Sequence, residues 1–88
     1  MAEHTLKTWP NAYDAIANGT KCFEWRRDDR GFEVGDVLVL ERWDPVAKYA
    51  TGPDYPTQRV RVTYILRGKF GVPPNYCVMS IEPEERRG

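Results

Sequence analysis

Eighty-eight residues, 41% of them hydrophobic and 12% aromatic, suffice for one folded domain and argue against a disordered chain. A chain this short buries only about 60–65% of its unfolded surface, so one core must use most of the large apolar side chains. Thirteen Lys and Arg balance thirteen Asp and Glu, which argues against a protein held to nucleic acid by bulk charge but leaves room for one nucleotide in a local pocket. Cys22, Cys77 and His4 are too few and too scattered for a zinc site of the Cys/His type. No run approaches the ~20 apolar residues of a membrane span, and Met1 to His4 lacks the features of a signal peptide. We therefore expect a cytoplasmic monomer with reduced cysteines, no metal, no cofactor and no membrane contact.

In chain order, His4 to Lys7 reads as a short first strand. Pro10 suits the first turn of a helix that the spacing of Tyr13, Ile16 and Ala17 carries to Asn18, with Gly19 as its stop. Lys21 to Arg27 alternates, with Cys22, Glu24 and Arg26 on one face and Phe23 and Trp25 on the other. Asp28 to Asp36 is a loop, and Val37 to Leu40 reads as a strand covered on both faces. Three prolines and Gly52 between Asp44 and Thr57 leave space for a short edge segment only. Arg59 to Arg67 is the clearest strand, with Val60, Val62, Tyr64 and Leu66 on one side. Tyr76 to Ile81 closes the fold, with Cys77, Met79 and Ile81 turned inward. Residues 1–82 are expected to form a single domain and residues 83–88 a polar tail. Trp9, Trp25 and Trp43 are expected mostly in the core. One helix near the N-terminus and five or six short strands predict an α+β fold, a small mixed β-barrel with a helix at one end.

Seven of the ten residues from Lys21 to Arg30 are charged, in a segment that otherwise alternates like a strand. A strand face that carries Glu24 and Arg26 together requires water, an ion-pair partner or a ligand. The bland reading is an exposed ion network worth roughly 0–1 kcal/mol per pair. In the functional reading Glu24 and Arg26 sit in a polar cleft, the Arg fork oriented toward a phosphate or base edge and the carboxylate accepting from an exocyclic amine. Lys21, just after the helix stop, then supplies a phosphate contact or, in an enzyme, a general base. Asp29 and Arg30 either brace the loop or wall the cleft, and Lys7 is a surface residue or a second cation. Tyr49 in the long loop, or one of the tryptophans, is a candidate for stacking on a base. Arg59 and Arg61 face outward, solvated or as a basic stripe.

The pattern His4-x-Leu6-Lys7, the helix, Gly19-x-Lys21-x-x-Glu24-x-Arg26, Asp29-Arg30 and Val34-Gly35-Asp36 resembles an ASCH (activating-signal-cointegrator homology) domain. The likeness runs from His4 to Ile81 and is strongest to the short bacterial and phage branch of this PUA-like superfamily. Tyr49-Ala50-Thr51-Gly52, with one extra residue, stands for that branch's Tyr-Thr-Gly element. The resemblance implies a PUA-like barrel whose cleft, between the first helix and the next strand, takes RNA or a nucleotide. Some superfamily members hydrolyse the amide of an acetylated cytidine nucleoside, using a lysine that corresponds to Lys21. Where those enzymes have a threonine three residues later, this chain has Glu24, and Glu41 and Glu82 do not match the context of their later glutamate. The expectation is a site of Lys7, Lys21, Glu24, Arg26, Asp29, Arg30 and Tyr49 that binds RNA or a nucleotide. The alternatives are an amidohydrolase acting through Lys21 and Glu24, and a phage-type protein-interaction module.

Overall fold

The computed structural model describes residues 1–44, 46, 49–50 and 55–84. Its elements are strand β1 (Glu3–Thr8), helix α1 (Pro10–Ala17), and strands β2 (Phe23–Arg27), β3 (Val37–Asp44), β4 (Tyr49–Ala50), β5 (Gln58–Arg67) and β6 (Tyr76–Pro83). They form one mixed sheet in the order β1-β3-β5-β6-β2, with β4 on β3. β1 runs parallel to β3, and the other pairs are antiparallel. The sheet is open. Among the described residues no ladder joins β1 to β2, and side chains bridge the two edges instead. Arg26 on β2 donates to the Lys7 carbonyl at 3.1 Å, and Arg30 donates to the Thr5 carbonyl at 3.1 Å. Carbonyls at alternate positions of an edge strand have no ladder partner, and the two guanidinium groups supply one.

The core is a single cluster of Leu6, Phe32, Leu38, Leu40, Val60, Val62, Cys77, Met79 and Ile81, with Ile16 of α1 and Ile65 packed against it. Cys77, Met79 and Ile81 point inward as their alternation predicts. The expected face of β5 holds only to Val62. A bulge between Val62 and Tyr64 shifts the register, so that Tyr64 is turned out and 63% exposed while Ile65 takes the inward position. Trp9 and Trp25 also depart from the expected core, being 61% and 48% exposed. Trp9 is the N-cap residue of α1 in an extended conformation, which leaves its ring outside the turn that Pro10 begins.

α1 ends in a Schellman motif. Gly19 at φ +84° donates to the Ile16 carbonyl, and Thr20 donates to Ala15. The N–H of Lys21 also reaches Ala15, so the helix stop fixes the point from which the Lys21 side chain departs. The loop before β3 is anchored by Asp36, whose buried carboxylate accepts from the N–H groups of Ala2 and Glu33 and from the His4 ring, at 2.9–3.0 Å. Burial pushes this carboxyl up, but the Ala2 N–H, the His4 ring and the Glu33 N–H together hold it below the usual range.

On the outer face Arg59 lies between Glu3 and Glu84, at 2.7 and 2.6 Å, and Arg61 reaches Glu84 at 3.8 Å. The side-chain hydrogen bonds of those two carboxylates drive the Arg59 guanidinium upward, while Arg59 lowers Glu3. These two arginines are held in an ion network. Residues 85–88 of the expected tail, and residues 51–52 of the Tyr-Thr-Gly element, lie outside the described residues.

Candidate functional site

Along β2 the faces are inverted relative to ordinary amphipathic logic. Glu24 pairs with Met79 and Arg26 with Cys77, so both charged side chains turn toward the interior, whereas Phe23 and Trp25 turn outward. The inversion has a local cause. The inner side of β2 meets the unladdered edge of β1, where the Lys7 carbonyl and the Thr8 hydroxyl require a donor. Arg26 fills that position, with one amino group on Lys7 O and the other on Thr8 Oγ1 at 3.2 Å. A guanidinium in this seam needs a counter-charge, and Glu24 provides it.

The Glu24 side chain is only 5% exposed and lies between two cations, with Lys21 Nζ at 3.3 Å from Oε2 and Arg26 Nη2 at 3.3 Å from Oε1. A buried carboxylate without such partners would cost several kcal/mol, roughly, so the pairing is a condition of the fold. The distances are long for charge-assisted bonds, which close to about 2.7–2.9 Å. Lys21 also donates to the Phe23 carbonyl at 2.6 Å and lies 4.6 Å from the Phe23 ring centre. Among the described residues, Arg26 Nε is the buried side-chain nitrogen or oxygen left without a hydrogen-bond partner. Both cations are thus positioned, and Arg26 is incompletely satisfied.

These groups form the floor of an open depression of about 280 Å³ between the start of α1 and β2. Lys7, Thr8, Trp9, Asn11, Trp25 and Ala12 line its walls. Lys7 stands with its ammonium 4.1 Å from the Trp43 ring centre. Three cations and one carboxylate therefore line the depression together with Trp9 and Trp25. The arrangement can take an anionic group on Lys21 and Arg26, and a flat ring against Trp9 or Trp25.

Lys7, Lys21, Glu24 and Arg26, expected together from the sequence, share this depression. Arg30 lines a separate one of about 400 Å³ with His4, Glu33 and Asp36, and Asp29 is exposed on the same loop. The strand position of Tyr49 pairs with Asp44, and its side chain lies outside the described residues. Thr8, a helix-capping candidate in the sequence, and Asn11 are not among the site residues that the sequence predicts. Nothing in residue type distinguishes a hydroxyl that meets a guanidinium across a sheet seam. Trp9 carried a usable signal, a large aromatic at a strand-to-helix junction directly before proline.

Cys77 is buried, which pushes its thiol up and makes it a core residue, and Cys22 is an exposed free thiol. Among the described residues no group of three or more His, Cys, Asp or Glu could hold a metal ion, and no helix is long and apolar enough to cross a membrane.

Comparison with known proteins sets this geometry in a family. Over 40 residues the chain is 38% identical to the "Uncharacterized 12.9 kDa protein in GpA 3'region" of Escherichia phage P2. That match covers 46% of this chain and 37% of the phage protein, so the chain spans well under half of the relative's length. The family described as "Domain of unknown function (DUF3850)" matches residues 3–81, nearly the whole chain, and the protein belongs to it.

Proposed function

We propose that this domain is PUA-like, of the ASCH type, and binds RNA or a nucleotide in the depression between α1 and β2. One observation carries the reading: the buried Glu24 holds Lys21 and Arg26 on the floor of a cleft whose lining includes the exposed residues Trp9 and Trp25. Cations for phosphate and aromatic planes for bases are the two components of single-nucleotide recognition, and they occur here within one small concavity. Glu24 is the positioning group for the cations and an acceptor for an exocyclic amine.

A second reading, an amidohydrolase acting on an acylated nucleoside, is favoured by the 3.3 Å contact of Lys21 with Glu24. Two of the three Lys21 donors are, however, already directed at Phe23 O and Glu24, the role of a fixed cation rather than of a base. The test is titration of the four ribonucleoside monophosphates at low salt, followed by tryptophan fluorescence. Binding is expected, with quenching, and Lys21→Ala and Arg26→Ala should each weaken it by about tenfold, the share of one charge-assisted contact. No affinity at low salt, where phosphate contacts are strongest, would overturn the reading. Turnover of an acylated cytidine that Lys21→Ala abolishes would replace it with the hydrolase.

A further inference from the structure

The outer face of β2, β6 and β5 carries aromatic side chains that the core does not account for. Phe23 and Trp25 on β2 are 47% and 48% exposed, and Tyr64 on β5 is 63% exposed. The register aligns them. Phe23 pairs with Ser80, which pairs with Tyr64, and Trp25 pairs with Val78, which pairs with Leu66. Arg27 pairs with Tyr76 and lies 5.9 Å from its ring centre. Ser80 stands between Phe23 and Tyr64 in the ladder and is hydrogen-bonded through its hydroxyl to Thr63 at 2.7 Å. The Val62/Tyr64 bulge is what turns Tyr64 onto this face.

We propose that this face is a stacking surface for single-stranded nucleic acid, continuous with the cleft through Trp25, which belongs to both. The proposal rests on the nucleotide reading of the cleft for the end of the strand, and on the sheet face itself for the nucleotides that follow. Charge selects the occupant. Of the outward positions, Phe23, Trp25, Arg27, Tyr64, Leu66, Tyr76, Val78 and Ser80 are not acidic, and the exposed Glu82, two residues past Ser80 and opposite Arg61, bounds the face at its far end. The cations at the rings are Lys21, shared with Glu24, at Phe23 and Arg27 at Tyr76. Aromatic rings spaced along a sheet and flanked by cations match bases strung on a phosphate backbone. Same-face residues on one strand are about 6.7 Å apart, a step that an unstacked single strand spans with one nucleotide. The Trp25 and Tyr76 rings, 6.3 Å apart and tilted by 41°, do not stack on each other and leave faces available.

The probes are uridine monophosphate and a uridine octanucleotide, titrated at low salt against the wild type and a Phe23→Leu/Tyr64→Leu variant. That variant keeps apolar area but removes the rings, at exposed positions outside the cleft lining. A Phe23→Tyr/Tyr64→Phe variant keeps the rings and reports on any loss of folding. The expected result is an octanucleotide bound at least tenfold more tightly than the monophosphate. The leucine variant should lose roughly tenfold or more of the octanucleotide affinity, with monophosphate affinity unchanged and the ring-preserving variant near wild type. If the octanucleotide binds no better than the monophosphate, or the leucine variant binds it equally well, the stacking surface is refuted and the cleft reading survives. Loss of monophosphate binding alone, with octanucleotide binding still sensitive to the rings, refutes the cleft and keeps the surface. Sedimentation showing a dimer that the leucine variant disrupts would assign the face to self-association and overturn the proposal.

Discussion

Replacing Glu24 by Gln is the most informative single perturbation, because it removes one charge from the site with little change of shape. The carboxylate is 5% exposed and balances Lys21 and Arg26, each at 3.3 Å. Removing one member of a fully buried ion pair costs about 3–5 kcal/mol. Here the cations keep 20% and 23% of their side-chain exposure, so water relieves part of the imbalance. Hydrogen bonds to charged groups are worth roughly 1.5–3 kcal/mol, and we take about 2 kcal/mol as the loss. For a domain of this length, with an unfolding entropy of about 2.1 cal/mol/K per residue, that loss lowers Tm by about 10 °C. Thermal unfolding followed by circular dichroism measures it directly. A Lys21→Met/Glu24→Gln double variant should fall by clearly less than the sum of the two single changes, because the pair acts as a unit. A fall of under about 3 °C for Glu24→Gln, the scale of a surface pair, would refute the claim that this carboxylate anchors the two cations.

Three further outcomes follow from the same structure. Gly19→Ala should lower stability by about 1 kcal/mol through left-handed backbone strain alone, since nothing lies within 4 Å of the added carbon; an unchanged Tm would show that the helix stop does not need its positive φ. Asp36 has a folded-state pKa below its unfolded value of about 3.9, so its contribution is complete above that pH and is lost as pH falls through the lower folded value. Asp36→Asn should therefore flatten the acid limb of a Tm–pH curve, leaving a Glu3 component that high salt screens, and an unaltered acid limb would contradict the assignment. Arg59→Ala should leave nucleotide affinity unchanged, because Glu3 and Glu84 already engage that guanidinium, whereas a clear loss would restore the basic-stripe reading.

The sequence is most legible where local pattern and burial agree. The alternation of Cys77, Met79 and Ile81 identifies the inner face of β6, and Pro10 with Gly19 brackets α1 to within one residue. The reading fails where a distant partner decides. Val60, Val62, Tyr64 and Leu66 look like one unbroken face, but the bulge opposite β6 divides it, and no residue type at Thr63 announces a bulge. The charge cluster at Lys21, Glu24 and Arg26 is visible as an anomaly in a strand. That Glu24 faces inward while Phe23 and Trp25 face out depends on the seam with β1, a contact between edges of the sheet 18 residues apart in the chain at Arg26 and Thr8. Phe32, buried at 1% in a loop rich in charge and glycine, is hidden for the same reason, since its pocket is built from strands elsewhere in the sequence.

A ligand cleft between α1 and β2 is detected by amide and indole chemical-shift mapping while a ribonucleoside monophosphate is added at low salt. The Trp9 and Trp25 indole signals and the backbone amides from Lys21 to Arg26 are expected to move together, with one saturation curve, while Arg59 and Arg61 stay fixed. Shifts confined to the Arg59–Arg61 face, or none at any of these positions, would contradict the cleft.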